Sequence, residues 1–267
     1  MMMKQTFFAL MGAMAVGAGF GGGAEAATSY LGSSTGSFGT VDTDTGVFTE
    51  IGNTGQFFDI ATLNETTGYG ITSSGNLFEI DLATAGTTLL GNAGSFINGL
   101  GFDDSGNLFG TGNGSLFSLD LGTGAASTVG SGVGSPFSSS GDIAYDGSQF
   151  FATSNDGANN SLWSINAITG VGTRIGDIGF ESVFGLTYQD STLFGFTASG
   201  DILTINTTTG AGLDIADVTG LPGFVTGASP TVATAVPEPT SLLGLLAVGA
   251  LVTGAAVKRK QAPSVKA

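Results

Sequence analysis

The feature of this sequence that most limits what it can fold into is a unit of about 40 residues that occurs five times. In each copy a short strand ends in Asp or Asn, a turn with Thr and Gly follows, and a second strand ends in Ile-Gly or a close variant. A period near 40 residues with several short strands per unit is typical of a β-propeller. The residues that end the first of these strands are Asp42, Asp81, Asp120, Asn166 and Asn206, at spacings of 39, 39, 46 and 40 residues.

Each unit also contains two earlier strands, an apolar one such as Asp59-Ile60-Ala61 and an aromatic-small one such as Tyr69-Gly70. The segment 30–32 supplies an aromatic-small strand with no apolar strand before it, and the segment 224–227 supplies an apolar strand with nothing after it. Together they complete a fifth blade that both termini share. The sequence therefore predicts an all-β fold, a five-bladed β-propeller over residues 28–230. An open β-sandwich array and a β-solenoid are the alternatives, although 40 residues is long for one solenoid coil.

The charge of the repeat region excludes some partners. All but two of the 21 acidic residues lie between Thr28 and Val236, where Arg174 is the only basic residue. Such a surface repels nucleic acid and anionic lipid headgroups. The chain also has no Cys and no His, so the domain relies on its core and its backbone hydrogen bonds rather than on disulfides.

Residues 1–26 have the pattern of a secretory signal peptide. Lys4 precedes a run of residues 7–20 that is apolar or Gly throughout, and Ala24-Glu25-Ala26 follows as a small-residue cleavage site. We expect signal peptidase to cleave after Ala26. The alternative is an uncleaved N-terminal anchor, which the small residues at 24–27 disfavour.

The other end of the chain has three parts in a fixed order. A linker over residues 231–241 contains a Pro-Glu-Pro motif, and an apolar stretch over residues 242–257 follows and is predicted to form a single transmembrane helix. The tail that closes the chain at residue 267 opens with a basic cluster, which would stay on the cytoplasmic side. The motif consists of Pro237, Glu238 and Pro239, and the basic cluster consists of Lys258, Arg259 and Lys260.

This three-part arrangement over residues 236–260 resembles the PEP-CTERM sorting signal. The resemblance implies recognition by an exosortase, a membrane-bound cysteine transpeptidase, followed by removal of the tail and transfer of the protein outward. It therefore implies a membrane-anchored intermediate and then a place on the bacterial cell surface or in the extracellular matrix. The seven residues after Lys260 are more than the family usually has there. An ordinary C-terminal membrane anchor is the alternative.

Asp59 and Asp142 occupy matching places in the innermost strands of two units, where a propeller lines its central channel. Two convergent carboxylates could bind a cation or act as acid and base on a glycoside. The structural alternative is that each carboxylate accepts backbone N–H bonds at the start of a strand. The other three units have Gly99, Gly185 and Val225 at this place.

The turn that begins Asp42-Thr43-Asp44 resembles the opening of a calcium loop, since alternate oxygens can face one hard cation. The same turn recurs in the other four copies without the second carboxylate. A hairpin turn fixed by the side chain of Asp or Asn explains all five copies better than a calcium site does. No other cofactor motif is present.

Three further features lie in the longest unit. The polar loop 154–160 adds most of the extra length, and inserted loops on one face of a repeat protein often bind ligands, although a tolerated insertion is the simpler interpretation. Trp163 takes the place of Phe residues in other copies, which indicates a core position. Arg174 lies within a strand and is expected to pair with a neighbouring carboxylate.

These features together predict a non-catalytic propeller for adhesion or polysaccharide association outside the cell. The domain lacks the His and Lys residues that would activate a nucleophile. One alternative is a glycan-active hydrolase or lyase that uses Asp59, Asp142 and a further carboxylate. The other is a passive component of the surface coat without a ligand.

Overall fold

A computed structural model of the chain describes residues 27–231. These residues form 20 β-strands in five four-stranded antiparallel sheets, with no helix among them that could cross a membrane. The innermost strands contact one another in a closed ring, which makes each sheet one blade of a propeller. The prediction of an all-β, five-bladed propeller is confirmed. The signal peptide, the Pro-Glu-Pro motif and the C-terminal apolar helix lie outside the described residues.

Blade 1 joins the two ends of the domain, as the sequence predicts. Its innermost strand is the last strand in the chain, and it pairs antiparallel with the first. This pairing closes the ring with backbone hydrogen bonds in a domain that has no disulfide. From the axis outward, the strands of blade 1 are β20 (Val225–Pro230), β1 (Thr28–Ser33), β2 (Ser37–Asp42) and β3 (Phe48–Asn53).

The other four blades run from the axis outward in chain order. Blade 2 consists of β4 (Asp59–Thr62), β5 (Thr67–Ile71), β6 (Asn76–Asp81) and β7 (Thr87–Asn92), and blade 3 of β8 (Gly99–Phe102), β9 (Leu108–Gly112), β10 (Ser115–Leu119) and β11 (Ala126–Val129). Blade 4 consists of β12 (Ser139–Tyr145), β13 (Phe150–Ser154), β14 (Ser161–Ile165) and β15 (Gly172–Asp177), and blade 5 of β16 (Val183–Gln189), β17 (Thr192–Thr197), β18 (Asp201–Ile205) and β19 (Gly212–Asp217).

The core consists of five apolar clusters, and each cluster fills the space between two neighbouring blades. The middle strands supply its largest buried side chains, because both of their faces are covered by a neighbouring blade. The outermost strands are polar on much of their surface. Burial of apolar side chains between neighbouring blades therefore stabilises the ring. The apolar positions that recur in each repeat of the sequence are the ones buried there. Fully buried members of these clusters include Phe38, Phe150, Phe196, Leu77 and Leu162.

The turn between the third and fourth strand has the same geometry in every blade. In blade 1, Asp42 Oδ1 accepts the backbone N–H groups of Asp44 and Thr45, at 3.0 and 2.8 Å, and these bonds place the pKa of Asp42 below its usual value. The exposed Asp44 side chain lies beside this turn. The equivalent acceptors in the other blades are Asp81, Asp120, Asn166 and Asn206. A side-chain-fixed turn thus accounts for the repeated Asp or Asn.

Candidate functional site

The five innermost strands bring one residue each to the propeller axis. Cross-strand pairing shows that Asp59, Gly99 and Gly185 are equivalent. Their partners Ile71, Thr111 and Phe196 each lie two residues after the aromatic residue of an aromatic-small strand. In blade 1 the equivalent residue is Gly227, which pairs with Gly32. The prediction that Val225 lies at the axis is wrong, because Gly227, two residues later in the chain, occupies this position.

Val225 is instead buried between blades 5 and 1. Val225 corresponds to Val183 of blade 5, because each lies two residues before the axial glycine and beside a bulge at the same step of the pairing. The segments 183–185 and 225–227 both read Val-X-Gly, so the sequence already contains the signal that places Gly227 at the axis.

Two carboxyl groups accept one backbone N–H group from the innermost strand of each of the five blades. Each innermost strand has one side without a strand partner, so the N–H after the axial residue points toward the axis. Asp59 accepts two of these N–H groups and Asp142 accepts three. The donors are Ile60 (2.8 Å) and Leu100 (2.6 Å) to Asp59, and Ile143 (2.6 Å), Leu186 (2.7 Å) and Ala228 (3.2 Å) to Asp142. We call this arrangement the hub.

The hub has room for two side chains and no more. A Cβ atom on Gly227 would lie 2.1 Å from Asp59 Oδ1, and one on Gly99 would lie 2.2 Å from the carbonyl oxygen of Gly141. A Cβ on Gly185 would lie 2.7 Å from the Cβ of Ala228. These distances explain why three units have Gly where two have Asp.

Both hub side chains are completely buried. Burial raises the pKa of Asp59 and of Asp142 well above the usual carboxyl range, and the two carboxyls are in hydrogen-bond contact with each other. Two adjacent carboxylates cannot both ionise cheaply in such a place, whereas one proton shared between them supplies the missing donor. We therefore describe the hub as a carboxyl pair that holds a proton.

A pocket of about 720 Å³ lies directly above the hub on the axis. The residue that precedes the axial position in each blade lines it, so all five blades contribute to its floor. These residues are Phe58, Asn98, Gly141, Phe184 and Thr226. Asn98 Oδ1 and Thr226 Oγ1 are buried there without a hydrogen-bond partner among the described residues. We call this space the axial pocket.

The rim of the axial pocket is aromatic on four of its five sides. Phe58, Phe96 and Phe224 are 36, 46 and 50% exposed, unusually high for Phe, and come from blades 2, 3 and 1. Phe184 adds a partly buried ring from blade 5. The rings of Phe58 and Phe96 pack edge to face with centroids 5.9 Å apart, an arrangement that holds them upright beside the opening.

The fifth side, at blade 4, is polar. Ser139, Ser140 and Asn155 line the pocket there, and Gly141 leaves space in front of them. Asn155 Oδ1 accepts a hydrogen bond from the buried Asn160 Nδ2 at 2.7 Å, so the amide Nδ2 of Asn155 remains as a donor. The axial pocket therefore combines aromatic rings from four blades with hydroxyl and amide groups, which are concentrated at blade 4 and also include Ser34, Gln56 and Ser73. None of the residues that line it is charged.

The inserted loop 154–160 is built around buried polar groups. Asn160 donates to Ser140 and Ser154 and accepts the N–H of Val183, which ties the loop to blade 5. At the other side of the loop, the Asp156 carboxylate accepts bonds from Ser161 Oγ, Trp163 Nε1 and Arg174 Nε. The loop thus holds Asn155 in place at the pocket.

The side chains of Trp163 and Arg174 both donate hydrogen bonds to Asp156 in this loop. Trp163 is buried and packs edge to face against Phe137, as its core prediction implies. Arg174 pairs with Asp156 at 3.1 Å and also with the exposed Asp177. Burial opposes the ionisation of Asp156, but the bonds from Ser161, Trp163 and Arg174 outweigh it and lower its pKa.

One further group of carboxylates could hold a metal ion. Asp201, Asp214 and Asp217 lie on β18 and β19 with one oxygen of each within 4.8 Å of the others. Sequence spacing does not predict this group, since its members are spread over 17 residues and meet only by cross-strand pairing. Thr197 and Ser199 donate to Asp201 and lower its pKa. The group lies at the outer edge of blade 5.

The repeat pattern of the sequence predicts Asp59 and Asp142 at the axis but does not predict the pocket above them. The signal that could have found the pocket is a Phe one or three residues before the axial position in four of the five units, namely Phe58, Phe96, Phe184 and Phe224.

Comparison with solved structures places the described residues among β-propellers. A chain of the crystal structure of a nidogen/laminin complex superimposes with a TM-score of 0.54 at 15% identity, over 79% of this chain and 83% of that one. This likeness shows the fold alone.

Two bacterial structures are less similar. They are a structural genomics protein of unknown function from Bacteroides thetaiotaomicron (TM-score 0.46, 15% identity, 59% of this chain and 42% of that one) and a gluconolactonase from Xanthomonas campestris (TM-score 0.44, 17% identity, 58% and 60%). None of the curated proteins matches this chain.

Residues 235–260 match the family model of the PEP-CTERM protein-sorting motif. The resemblance that the sequence analysis drew from residues 236–260 is thereby confirmed. The motif indicates an exported protein that an exosortase sorts. Taken with the fold, it identifies the chain as an exported, exosortase-sorted protein with a five-bladed β-propeller.

Proposed function

We propose that this protein resides on the bacterial cell surface or in the extracellular matrix and binds a polysaccharide there without catalysis. The axial pocket is the proposed binding site. Export through a membrane-anchored intermediate, with signal peptidase and exosortase as processing partners, would deliver the propeller to that place.

The observation that carries the proposal is the combination of exposed Phe rings and uncharged polar groups in one concave site. Sugar rings have an apolar face of C–H groups and an edge of hydroxyls. Aromatic rings pack against the first, and amides and hydroxyls bind the second. The volume of the axial pocket, 720 Å³, lies in the range of small-ligand sites, roughly 300–1,000 Å³.

The hub does not support a glycoside hydrolase or lyase. Asp59 and Asp142 have no exposed surface, and their oxygens accept backbone N–H groups from all five blades. A general acid or base must come within hydrogen-bond reach of its substrate, which requires an accessible oxygen. The burial and hydrogen bonds of the two carboxyls support a structural role for them. The proposed function is therefore non-catalytic.

The test uses the exported protein purified from its host and the extracellular polysaccharide of the same host. Anion exchange separates the polymer into neutral and acidic fractions, and binding is measured for each fraction. We expect binding to the neutral fraction that falls about 5- to 150-fold in a Phe96→Ala, Phe224→Ala double variant, since each exposed ring contributes about 0.5–1.5 kcal/mol.

The matched control removes two apolar side chains that do not line the axial pocket. Ile168 and Leu213 are 88 and 65% exposed, the first in a turn at the opposite end of the blades and the second on an outermost strand. An Ile168→Ala, Leu213→Ala variant should bind normally. Absence of binding by the unchanged protein to any fraction would favour the passive-coat alternative.

A further inference from the structure

Resting on the proposed function, we infer that the axial pocket binds the neutral terminal sugar of a polysaccharide chain, which enters end-on along the propeller axis. The inference commits to one ligand class: an uncharged sugar with free hydroxyls at the end of a chain. A chain that lies across the face of the propeller is the competing geometry. Three features of the pocket favour the end-on geometry.

The first feature is a closed floor. The hub carboxyls and the backbones of Leu100, Leu186 and Ala228 fill the axis directly below the pocket. The space on the other side of this plug is a separate cavity of about 70 Å³. A polymer therefore cannot thread the propeller, and a sugar that reaches the floor must have a free end.

The second feature is the position of the polar groups. Ser140 directly precedes the floor residue Gly141, and Asn155 is joined to Ser140 through Asn160, so these two polar groups stand close to the closed floor at blade 4. Asn155 has its Nδ2 free to donate, and Ser140 Oγ accepts from Asn160 Nδ2 at 2.9 Å, so its hydroxyl proton remains to donate. Both groups are donors, which suits the oxygen atoms of sugar hydroxyls and of a ring.

The third feature is charge. None of the residues that line the pocket is charged, and Arg174 is the only cation among residues 27–231. A terminal uronic acid, sulfate or phosphate would find no counter-ion at the pocket and would be repelled by the acidic surface around it. The terminal sugar is therefore neutral.

The experiment measures binding of the exported protein to the neutral fraction of its host's extracellular polysaccharide before and after partial acid hydrolysis. Samples are matched by total sugar mass, so hydrolysis raises only the number of chain ends. We expect the amount of protein bound at subsaturating polymer to rise in proportion to the ends. Short oligosaccharides should compete as well as long chains at equal concentration of ends.

A substitution at the polar wall tests the contacts of the terminal sugar. Asn155→Asp keeps the acceptor for Asn160 but removes the free donor and adds a negative charge. We expect a three- to tenfold loss of affinity for the oligosaccharides, which corresponds to one hydrogen bond of about 0.5–1.5 kcal/mol. The control is Asn206→Asp, the same change in a turn at the opposite end of the blades, where three other copies already have Asp.

Three results would overturn the inference. Binding that falls as chains shorten, or that depends on mass and not on ends, would show a chain lying across the rim. Preference for the acidic fraction would contradict the neutral ligand. In both cases loss of binding in the Phe96→Ala, Phe224→Ala variant would leave the proposed function standing. If the protein binds no fraction, both the end-on inference and the proposed polysaccharide binding are wrong.

Discussion

Removing the Asp142 carboxyl gives the sharpest test of the hub. In an Asp142→Ala variant the N–H groups of Ile143, Leu186 and Ala228 lose their acceptor while buried on the axis. A buried donor without a partner costs about 1–3 kcal/mol. Water from the axial pocket can reach some of the vacated space, so we expect a loss of about 3–5 kcal/mol in the free energy of unfolding. That is a large part of the roughly 5–15 kcal/mol of a whole domain.

The assay is urea unfolding of the purified exported protein, followed by the fluorescence of its single Trp163, which is buried in blade 4. Exposed Asp177→Ala is the control, with an expected effect below about 0.5 kcal/mol because surface ion pairs contribute little. A loss below 1 kcal/mol for Asp142→Ala would refute the argument that the carboxyl pair satisfies the inner edges of the blades.

The proton held by the hub adds a pH dependence with a definite sign. Burial raises the pKa of both carboxyls above the ordinary value of 3.8, so the folded protein keeps a proton that the unfolded chain has lost. Stability from this pair is therefore greatest below about pH 4 and falls as pH rises toward the raised pKa, by at most about 1.4 kcal/mol per pH unit. Carboxyls with lowered pKa values act in the opposite direction, but only near and below pH 4.

Asp142→Asn removes one of the two titrating groups and keeps the size of the side chain. Its NH2 group would face at least one backbone N–H that now donates to Asp142, so the variant should be less stable at every pH. Its free energy of unfolding should nevertheless decline less steeply above about pH 4 than that of the unchanged protein. Parallel pH profiles for the two proteins would show that the hub holds no proton in this range.

Three other predictions concern packing, the inserted loop and processing. Gly227→Ala should destabilise the protein by about 3 kcal/mol or more in urea, because the new Cβ would meet Asp59 at 2.1 Å, whereas Gly157→Ala, with its nearest neighbour at 3.6 Å, should cost less than about 1 kcal/mol; equal effects would contradict a filled axis. Asp156→Ala should cost about 2–3 kcal/mol and shift Trp163 fluorescence, since it removes the acceptor of Ser161 Oγ and one of the two acceptors of both Trp163 and Arg174. An unchanged spectrum would show that the loop is not tied to the core. Intact mass and terminal peptides of the exported protein should place its start at Ala27 and its end near the Pro-Glu-Pro motif; retention of residues 242–257 in all of it would indicate a plain anchor.

The sequence by itself was sufficient to predict the propeller fold, the number of blades and the closure of the ring by the two ends of the domain. A 40-residue period, five Asp or Asn turns and two incomplete units at residues 30–32 and 224–227 determine these features locally. Each turn is made by contacts between residues that are neighbours in the chain, so its pattern is readable without a structure. The sorting motif is readable for the same reason, as it is one continuous segment.

Only the tertiary structure decided what happens at the axis. Asp59 and Asp142 are 83 positions apart in the chain, and their meeting depends on the diameter of a five-membered ring, which no local pattern encodes. The axial pocket likewise exists because closure of the ring gathers one residue from every blade around a single point, and steric space there, not local propensity, selects Gly, Asp or Phe.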